Sequence, residues 1–544
     1  MHPIDELRAA VEAAARDLRN GSPAPSARAS LERPKKAGFG DYSTNAAMLL
    51  APALGAPPRE IAERLGARLT ERLGPAVDHV EVAGPGFLNV FLADAWYVGA
   101  ARQVLAAGED WGRGTPEHPL RVNVEYVSAN PTGPLTAASG RHAAYGDALA
   151  RMLELAGHEV FREYYFNDAG SQIDKLGESV RLRARHEPVP DEGGYYLGDY
   201  VRDLAAQIPD AAERDPRELG AEAAAILMEG IRRTLRAYRV EFDVYFLEGS
   251  LHEGDPSPIE VAFARLREQG HVYESEGALW LRTTEFGDDK DRVLRRSTGA
   301  PTYFAADVAY QEDKFRRGFD KTIYVLGSDH HGYIARLKAI AASLGEDPAR
   351  VEVPLLQFVH IVEGNERASM SKRRGDFVTL DEVIEKIGVD AARWFMLSRS
   401  HDSTIDLDLD LAAKQDPENP VYYVQYMHAR IASILRNLDA GAVEAALANP
   451  ATSVALNDSE RDLIRRLLAF PGEVREAVER RAPHRIATYA LELGQAFAAF
   501  YRDSPVIKEP DADLRAFRIA LCVASQRTLA TSLGLLGVSA PEAM

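Results

Sequence analysis

The chain has 544 residues and carries 64 Lys+Arg against 82 Asp+Glu, a formal net charge of −18 at pH 7. A composition of 46% hydrophobic and 27% charged residues is that of a globular protein with a large core, which excludes intrinsic disorder and collagen-like architectures. The single cysteine, Cys522, excludes an intrachain disulfide and a multi-cysteine zinc site and points to a reducing compartment such as the cytoplasm.

At roughly 100–200 residues per domain the length predicts three or four domains. Helical periodicity over 4–19 and 57–73, with a strand-like alternation over 79–82, makes the first ~95 residues a small α+β unit. A turn-rich stretch from Gly108 to Pro119 closes it. Arg121 to Val127 alternates like a strand, a Pro/Gly loop follows, and Gly140 to Ala156 is a strong helix pattern ending at Gly157. Strand, loop and helix in that order form the opening unit of a doubly wound sheet, so the expected fold class is α/β of Rossmann type. Residues 175–290 are charge-rich and irregular and read as an insertion. Ala300 to Leu380 supplies the other half of the nucleotide fold. From Val421 onward the pattern is helical, punctuated at Pro450, Pro471, Pro483 and Pro505, as in a helix bundle. The expected domains are 1–107, 108–410 and 411–544. No run approaches the roughly 20 apolar residues of a bilayer span.

The acidic balance argues at first sight against a polyanion partner. It is unevenly shared, however: residues 421–544 hold 14 basic and 14 acidic residues. The helical segment is therefore the large region least repulsive to nucleic acid.

Three loops carry chemistry. Val124 to Pro134 sets small residues between a strand end and a helix start, where backbone N–H groups and the helix dipole favour an anion; Glu125 and Asn130 flank that spot. Gly327-Ser328-Asp329-His330-His331-Gly332-Tyr333 follows an apolar strand, the place where open α/β sheets bind ligands. Gly364 to Gly375 places Ser369, Met370, Ser371 and Lys372 in a hydroxyl-rich basic loop suited to triphosphate charge. Asp406, Asp408 and Asp410 alternate along one strand face; capping or a solvated face explains them better than magnesium, and no protein-held metal is expected.

These loops, with Phe39 to Asn45, Gly84 to Asn89, Glu163 to Gly170, Thr302 to Asp307, Tyr422 to Arg430 and Leu535 to Val538, resemble the bacterial arginyl-tRNA synthetases, class I enzymes, from end to end. The resemblance implies an N-terminal domain that touches tRNA, a catalytic Rossmann domain and an anticodon-binding helical domain. It implies that arginine and ATP, with Mg2+ on the nucleotide, give arginyl-adenylate and pyrophosphate, and that the arginyl group then passes to tRNA(Arg). Glu125, Tyr303 and Asp307 would grip the guanidinium, and Asn130, Asp329 and His330 would hold the amino-acid backbone. Gly133, Pro134, Gly140, His331, Met370, Ser371 and Lys372 would hold ATP, with Lys372 stabilising the phosphates during attack. Tyr423, Gln425, Tyr426, His428 and Arg430 would read the anticodon. A cytoplasmic monomer without membrane contact is expected.

Two departures from the family pattern fall at the chemistry. Where the His-Ile-Gly-His signature belongs, the chain reads Thr136-Ala137-Ala138-Ser139, so Thr136 and Ser139 become the catalytic donors, and Ser369 replaces the first lysine of the second signature. Losing a donor to the phosphates costs roughly 100-fold in rate. The departures raise two alternatives: an impaired paralogue that binds tRNA in a regulatory role, and a transferase of another arginine pathway. His142, one helical turn past Ser139, reads as a packing residue before it reads as a replacement for a missing histidine.

Overall fold

The structure is a computed structural model and describes residues 2–19, 27–34, 38–168, 170–364, 366–367, 377–448 and 450–544. The N-terminal unit sets helices Pro3–Arg19, Ala46–Leu54 and Pro58–Leu73 against an antiparallel sheet, strand order Leu31–Glu32, Tyr42–Thr44, Phe87–Leu92, Val77–Ala83. Leu7, Val11 and Ala14 recur at helical spacing and are buried. Asp41 ties this unit to the helical domain: it accepts from Leu92 N (2.8 Å) and from Arg465 Nη1 (3.0 Å).

The central domain is built on a five-stranded parallel sheet of β1 (Arg121–Glu125), β2 (Glu159–Phe166), β3 (Val244–Leu247), β4 (Lys321–Tyr324) and β5 (Val351–Glu352), ordered β5-β4-β1-β2-β3. The chain runs outward from β1 to β3, then returns to the other side of β1. That reversal opens a crevice at the carboxyl ends of β1 and β4, the place for a ligand in such sheets. Helix α1 (Ala137–Leu155) starts beside that crevice, α2 (Tyr303–Arg316) covers it, and α3 (Leu380–Leu397) packs on α1.

The stretch 175–290 is more regular than its sequence suggested. Helices Ser171–Ala184, Tyr200–Gln207 and Pro216–Ala237 share a core of their own around Ile173, Leu176, Val201 and Leu219, after which the chain supplies edge strand β3 of the main sheet. Dense surface charge on amphipathic helices hid their apolar stripe.

The last domain contains α4 (Pro420–Arg436) and helices Asp458–Glu479, His484–Asp503 and Ala512–Leu535. Pro450, Pro483 and Pro505 lie between helices, whereas Pro471 sits inside one. The wholly buried Arg393 of α3 locks the domains together, donating to Leu536 O (2.8 Å) and Tyr238 O (3.0 Å) and pairing with Asp147. Gly537 has φ +67°, and a Cβ there would lie 2.2 Å from the Arg393 guanidinium, so only glycine fits this turn. No helix among the described residues is long and apolar enough to cross a membrane.

Candidate functional site

Parallel register places Tyr324, Glu125 and Glu163 side by side, at the ends of β4 and β1 and in the middle of β2, so their side chains share one face. Helix α2 lies over that face, and Tyr303, Asp307, Tyr310 and Lys314 follow one another at helical spacing. Two adjacent buried carboxylates would repel, and cations from α2 and its end resolve this. Lys314, with no exposed surface, donates to Glu125 Oε2 at 2.7 Å, lies 3.9 Å from Glu163 Oε1, and sits over the rings of Tyr310 and Tyr324. Arg317 makes a two-pronged pair with Glu163 (2.6 and 2.9 Å), and Tyr310 OH donates to the same carboxylate at 2.6 Å. Burial acts to raise Glu163, but Arg317, Lys314 and Tyr310 outweigh it and hold it below the ordinary carboxylate range.

Asp307 has no such partner. It is half-buried and accepts no hydrogen bond among the described residues. Burial, reinforced by Glu248 and Glu125 and opposed by Arg336, pushes its carboxyl up to about 7. Glu248, hydrogen-bonded to Tyr165, is raised as well, chiefly by burial. Tyr303, at the first turn of α2, leaves 64% of its surface exposed over this hollow. The hollow is thus lined by acidic side chains and open on one side, and Asp307 there accepts no hydrogen bond among the described residues.

Beyond β1 the backbone is strained: Val127 and Ser128 have φ of +67° and +40°, in the left-handed region. Three hydrogen bonds hold the distortion. Tyr164 OH donates to Ala129 O (2.7 Å) and accepts from Ala129 N (3.1 Å), while Ser128 Oγ accepts from Tyr165 N (3.2 Å). The result aims Ser128 Oγ at Glu125 Oε1, 3.2 Å away. Asn130 donates to Gln172 at 2.8 Å, and Tyr200 OH donates to Thr132 O at 2.8 Å, so the helical insertion braces the same loop.

At the start of α1, on the other side of the crevice, the side chains are neutral hydroxyls. Thr136 caps α1, its Oγ1 accepting from Ser139 N at 3.3 Å, and the two hydroxyls lie 3.2 Å apart. They share one hydrogen bond, in which either hydroxyl can be the donor. Gly140 is buried, and a Cβ on it would lie 2.7 Å from Leu380, so its smallness serves helix packing. Asp329, His330 and His331 stand exposed on the turn after strand Leu326–Gly327. His142 is half-buried and hydrogen-bonded to the Val325 carbonyl; burial foremost lowers its pKa to about 4, so it carries no charge to offer a phosphate. Ser369, Met370, Ser371 and Lys372 lie outside the described residues. The segment that follows them is fastened to the start of α1 by Ala137 N to Val378 O and Leu380 N to Leu135 O, both 2.9 Å.

Among the described residues no three His, Cys, Asp or Glu side chains are grouped to hold a metal. Asp406 pairs with Arg367 (2.8 Å), Asp408 caps Leu411 N (2.9 Å) and Asp410 accepts from Gly364 N (3.0 Å), so each of the three alternating aspartates has a structural partner.

On α4 the five expected anticodon residues separate by face. Gln425 and His428 are buried, donating to Ser539 O (3.0 Å) and bonded to Pro541 O (2.8 Å), and they anchor the chain's end rather than face a ligand. Tyr423 is partly buried, packed on Gly494. Tyr426 and Arg430 face out and are joined by two residues that sequence reasoning missed: Tyr422 stacks on Tyr426, and Arg430 lies over both Tyr426 and Tyr501. Sequence reasoning also missed Lys314, Glu163, Tyr310, Arg317 and Glu248; continuing the helical spacing from Tyr303 and Asp307 leads to Tyr310 and Lys314.

Comparisons with known proteins agree along the chain. It matches an arginyl tRNA synthetase N terminal domain over residues 5–92, a class I (R) tRNA synthetase catalytic domain over 220–413 and a DALR anticodon binding domain over 424–544. An arginine–tRNA ligase of Frankia alni is 47% identical over 527 residues, 94% of each chain. The arginyl-tRNA synthetase of Thermus thermophilus superposes with a TM-score of 0.76 at 27% identity, covering 99% of this chain and all of its own. That of Plasmodium falciparum gives 0.75 at 16% identity over the whole of both chains, a likeness of fold.

Proposed function

The chain belongs to the arginyl-tRNA synthetase family and is an arginine–tRNA ligase, and from that premise we propose how its own residues divide the reaction. The substrate carboxylate attacks the α-phosphorus of ATP and releases pyrophosphate; a hydroxyl of the terminal adenosine of tRNA(Arg) then takes the arginyl group and AMP leaves. Such chemistry needs positioning and charge stabilisation more than covalent help from the protein.

The observation that carries the assignment is Asp307, a carboxylate without a hydrogen-bond partner in an anionic hollow. A guanidinium fills that vacancy with two parallel N–H donors, the geometry in which arginine differs from lysine. Glu125 offers its second oxygen beside Ser128, and the exposed Tyr303 ring covers the planar cation. Asn130, Asp329 and His330 hold the amino-acid backbone at the crevice mouth. The start of α1, with Gly133, Pro134, Thr136, Ser139, Gly140 and His331, receives ATP, whose Mg2+ arrives with the nucleotide. Lys372, with Met370 and Ser371, meets the phosphates; the residues that follow in sequence, Val378 and Leu380, are tied to Ala137 and Leu135 at the start of α1. Tyr426 and Arg430, with Tyr422 and Tyr501, present stacking surfaces to unpaired anticodon bases.

Near full-length 47% identity to a ligase favours the enzyme over an impaired tRNA-binding paralogue or another arginine transferase. Arginine-dependent ATP–pyrophosphate exchange, run with and without tRNA(Arg) and followed by charging, tests it. Exchange and charging with arginine but not lysine are expected. Normal tRNA binding with no exchange under either condition overturns the assignment.

A further inference from the structure

We infer that Lys314 is a positioning residue for arginine recognition, acting through Glu125 without touching the substrate. This rests on the placement of Glu125 in the guanidinium hollow proposed above. Glu125 is buried at the end of β1, flanked in the sheet by Glu163 and close to Asp307, so left alone its carboxylate would face like charge and desolvation with nothing to offset them. The Lys314 ammonium prevents that from behind. It bonds Oε2 at 2.7 Å, is sealed from water, and is itself stabilised by the faces of Tyr310 and Tyr324. Only Oε1, 3.2 Å from the Ser128 hydroxyl, remains for a ligand. Glu125 therefore accepts a single hydrogen bond from a guanidinium, and the two-pronged grip falls to Asp307.

The network also explains how Lys314 stays on Glu125 when Glu163 is 3.9 Å away. Arg317 and Tyr310 already satisfy Glu163, at 2.6–2.9 Å, so the ammonium is not drawn off. Arg317 is the tuning residue of the pair, and its side chain is partly exposed at 29%.

The test is a double-mutant cycle read as KM for arginine in ATP–pyrophosphate exchange. Lys314→Met should raise that KM by about tenfold or more, the worth of a hydrogen bond to a charged group. The maximal rate and the KM for ATP should stay within about threefold. Glu125→Gln should give a similar rise, and the double variant no more than either alone, because both substitutions remove one carboxylate from use. If Glu125→Gln leaves the arginine KM unchanged, the placement of Glu125 fails and the inference goes with it. If Glu125→Gln raises KM and Lys314→Met does not, or if the two effects multiply, Lys314 does not act through Glu125 and the inference alone is overturned. A uniform loss of rate and of ATP affinity marks a merely structural lysine and also overturns it. Should Lys314→Met not fold, Arg317→Gln supplies the reading from outside the buried pair. It frees Glu163 to draw Lys314 away, so the arginine KM should rise severalfold, and an unchanged KM overturns the inference.

Discussion

At the end of the cleft proposed for the guanidinium, Glu125, Lys314, Glu163 and Arg317 are all paired, whereas Asp307 has no hydrogen-bond partner among the described residues. At the end proposed for the nucleotide, one helical start away, the described residues include two hydroxyls that bond each other and an imidazole that burial keeps neutral. Both ends face strong charge, yet one is built of ions and the other of dipoles. A guanidinium is a fixed cation present throughout the reaction, and fixed carboxylates with fixed counter-ions suit it. Phosphate charge shifts as pyrophosphate departs, which suits a helix N-terminus and a cation on a separate loop.

The comparison is broken most directly at Asp307. Asp307→Asn keeps shape and removes the charge, so the arginine KM should rise by roughly 100-fold or more, as when one partner of a buried charged pair is lost. The KM for ATP should stay within about twofold if the two ends are energetically separate. Steady-state exchange kinetics at varied arginine and ATP check both numbers, and a matching rise in the ATP KM would merge the two ends into one.

A pH series sharpens the same contrast. With the carboxyl raised to about 7, Asp307 is mostly protonated at pH 6 and mostly ionised at pH 8. Arginine needs the ionised form, so its KM should rise roughly tenfold from pH 8 to pH 6, and Asp307→Asn should flatten that part of the profile. The sign for stability is opposite. The empty native state holds a proton that the unfolded chain loses near pH 4, so this group's contribution weakens as pH climbs from about 4 through 7 and is constant above. Saturating arginine should reverse that slope in thermal unfolding.

Smaller effects belong to the nucleotide end. Thr136→Ala removes a helix cap and a hydroxyl together. Stability should fall by about 1 kcal/mol, measured by thermal or denaturant unfolding, and the exchange rate by severalfold, with the arginine KM unchanged.

Much of this contrast was legible in the sequence. Strand, Pro/Gly loop and helix over 121–156 gave the sheet, and the motif residues at 125, 303 and 307 met at one hollow because register and helical period bring them there. The partners of those residues were not legible. Lys314 and Arg317 read as ordinary surface cations near a helix end until β2 brings Glu163 beneath them, a contact across more than 150 residues. The face of α4 was similarly hidden: Gln425 and His428 suit RNA by type, and packing against Asp390 and residues 539–541 turns them inward. The run 175–290 looked irregular because its helices are exposed on most sides.

The smallest expected effect falls on His142, and it separates charge from position. The ring lies within electrostatic reach of Asp329 and His330, the right neighbourhood for a stand-in histidine. Its chemistry is wrong for that role. One ring nitrogen donates to the Val325 carbonyl, and burial holds the other unprotonated far below neutral pH, so toward the crevice the ring is an acceptor. An acceptor repels phosphate oxygens, and at most it bonds a hydroxyl or amino group of the nucleotide. His142→Ala should therefore leave the exchange rate within about twofold, and any loss should appear in the ATP KM rather than the rate. A tenfold fall in rate that grows as pH drops toward 4 would make His142 a cationic donor and give the nucleotide end an ion of its own.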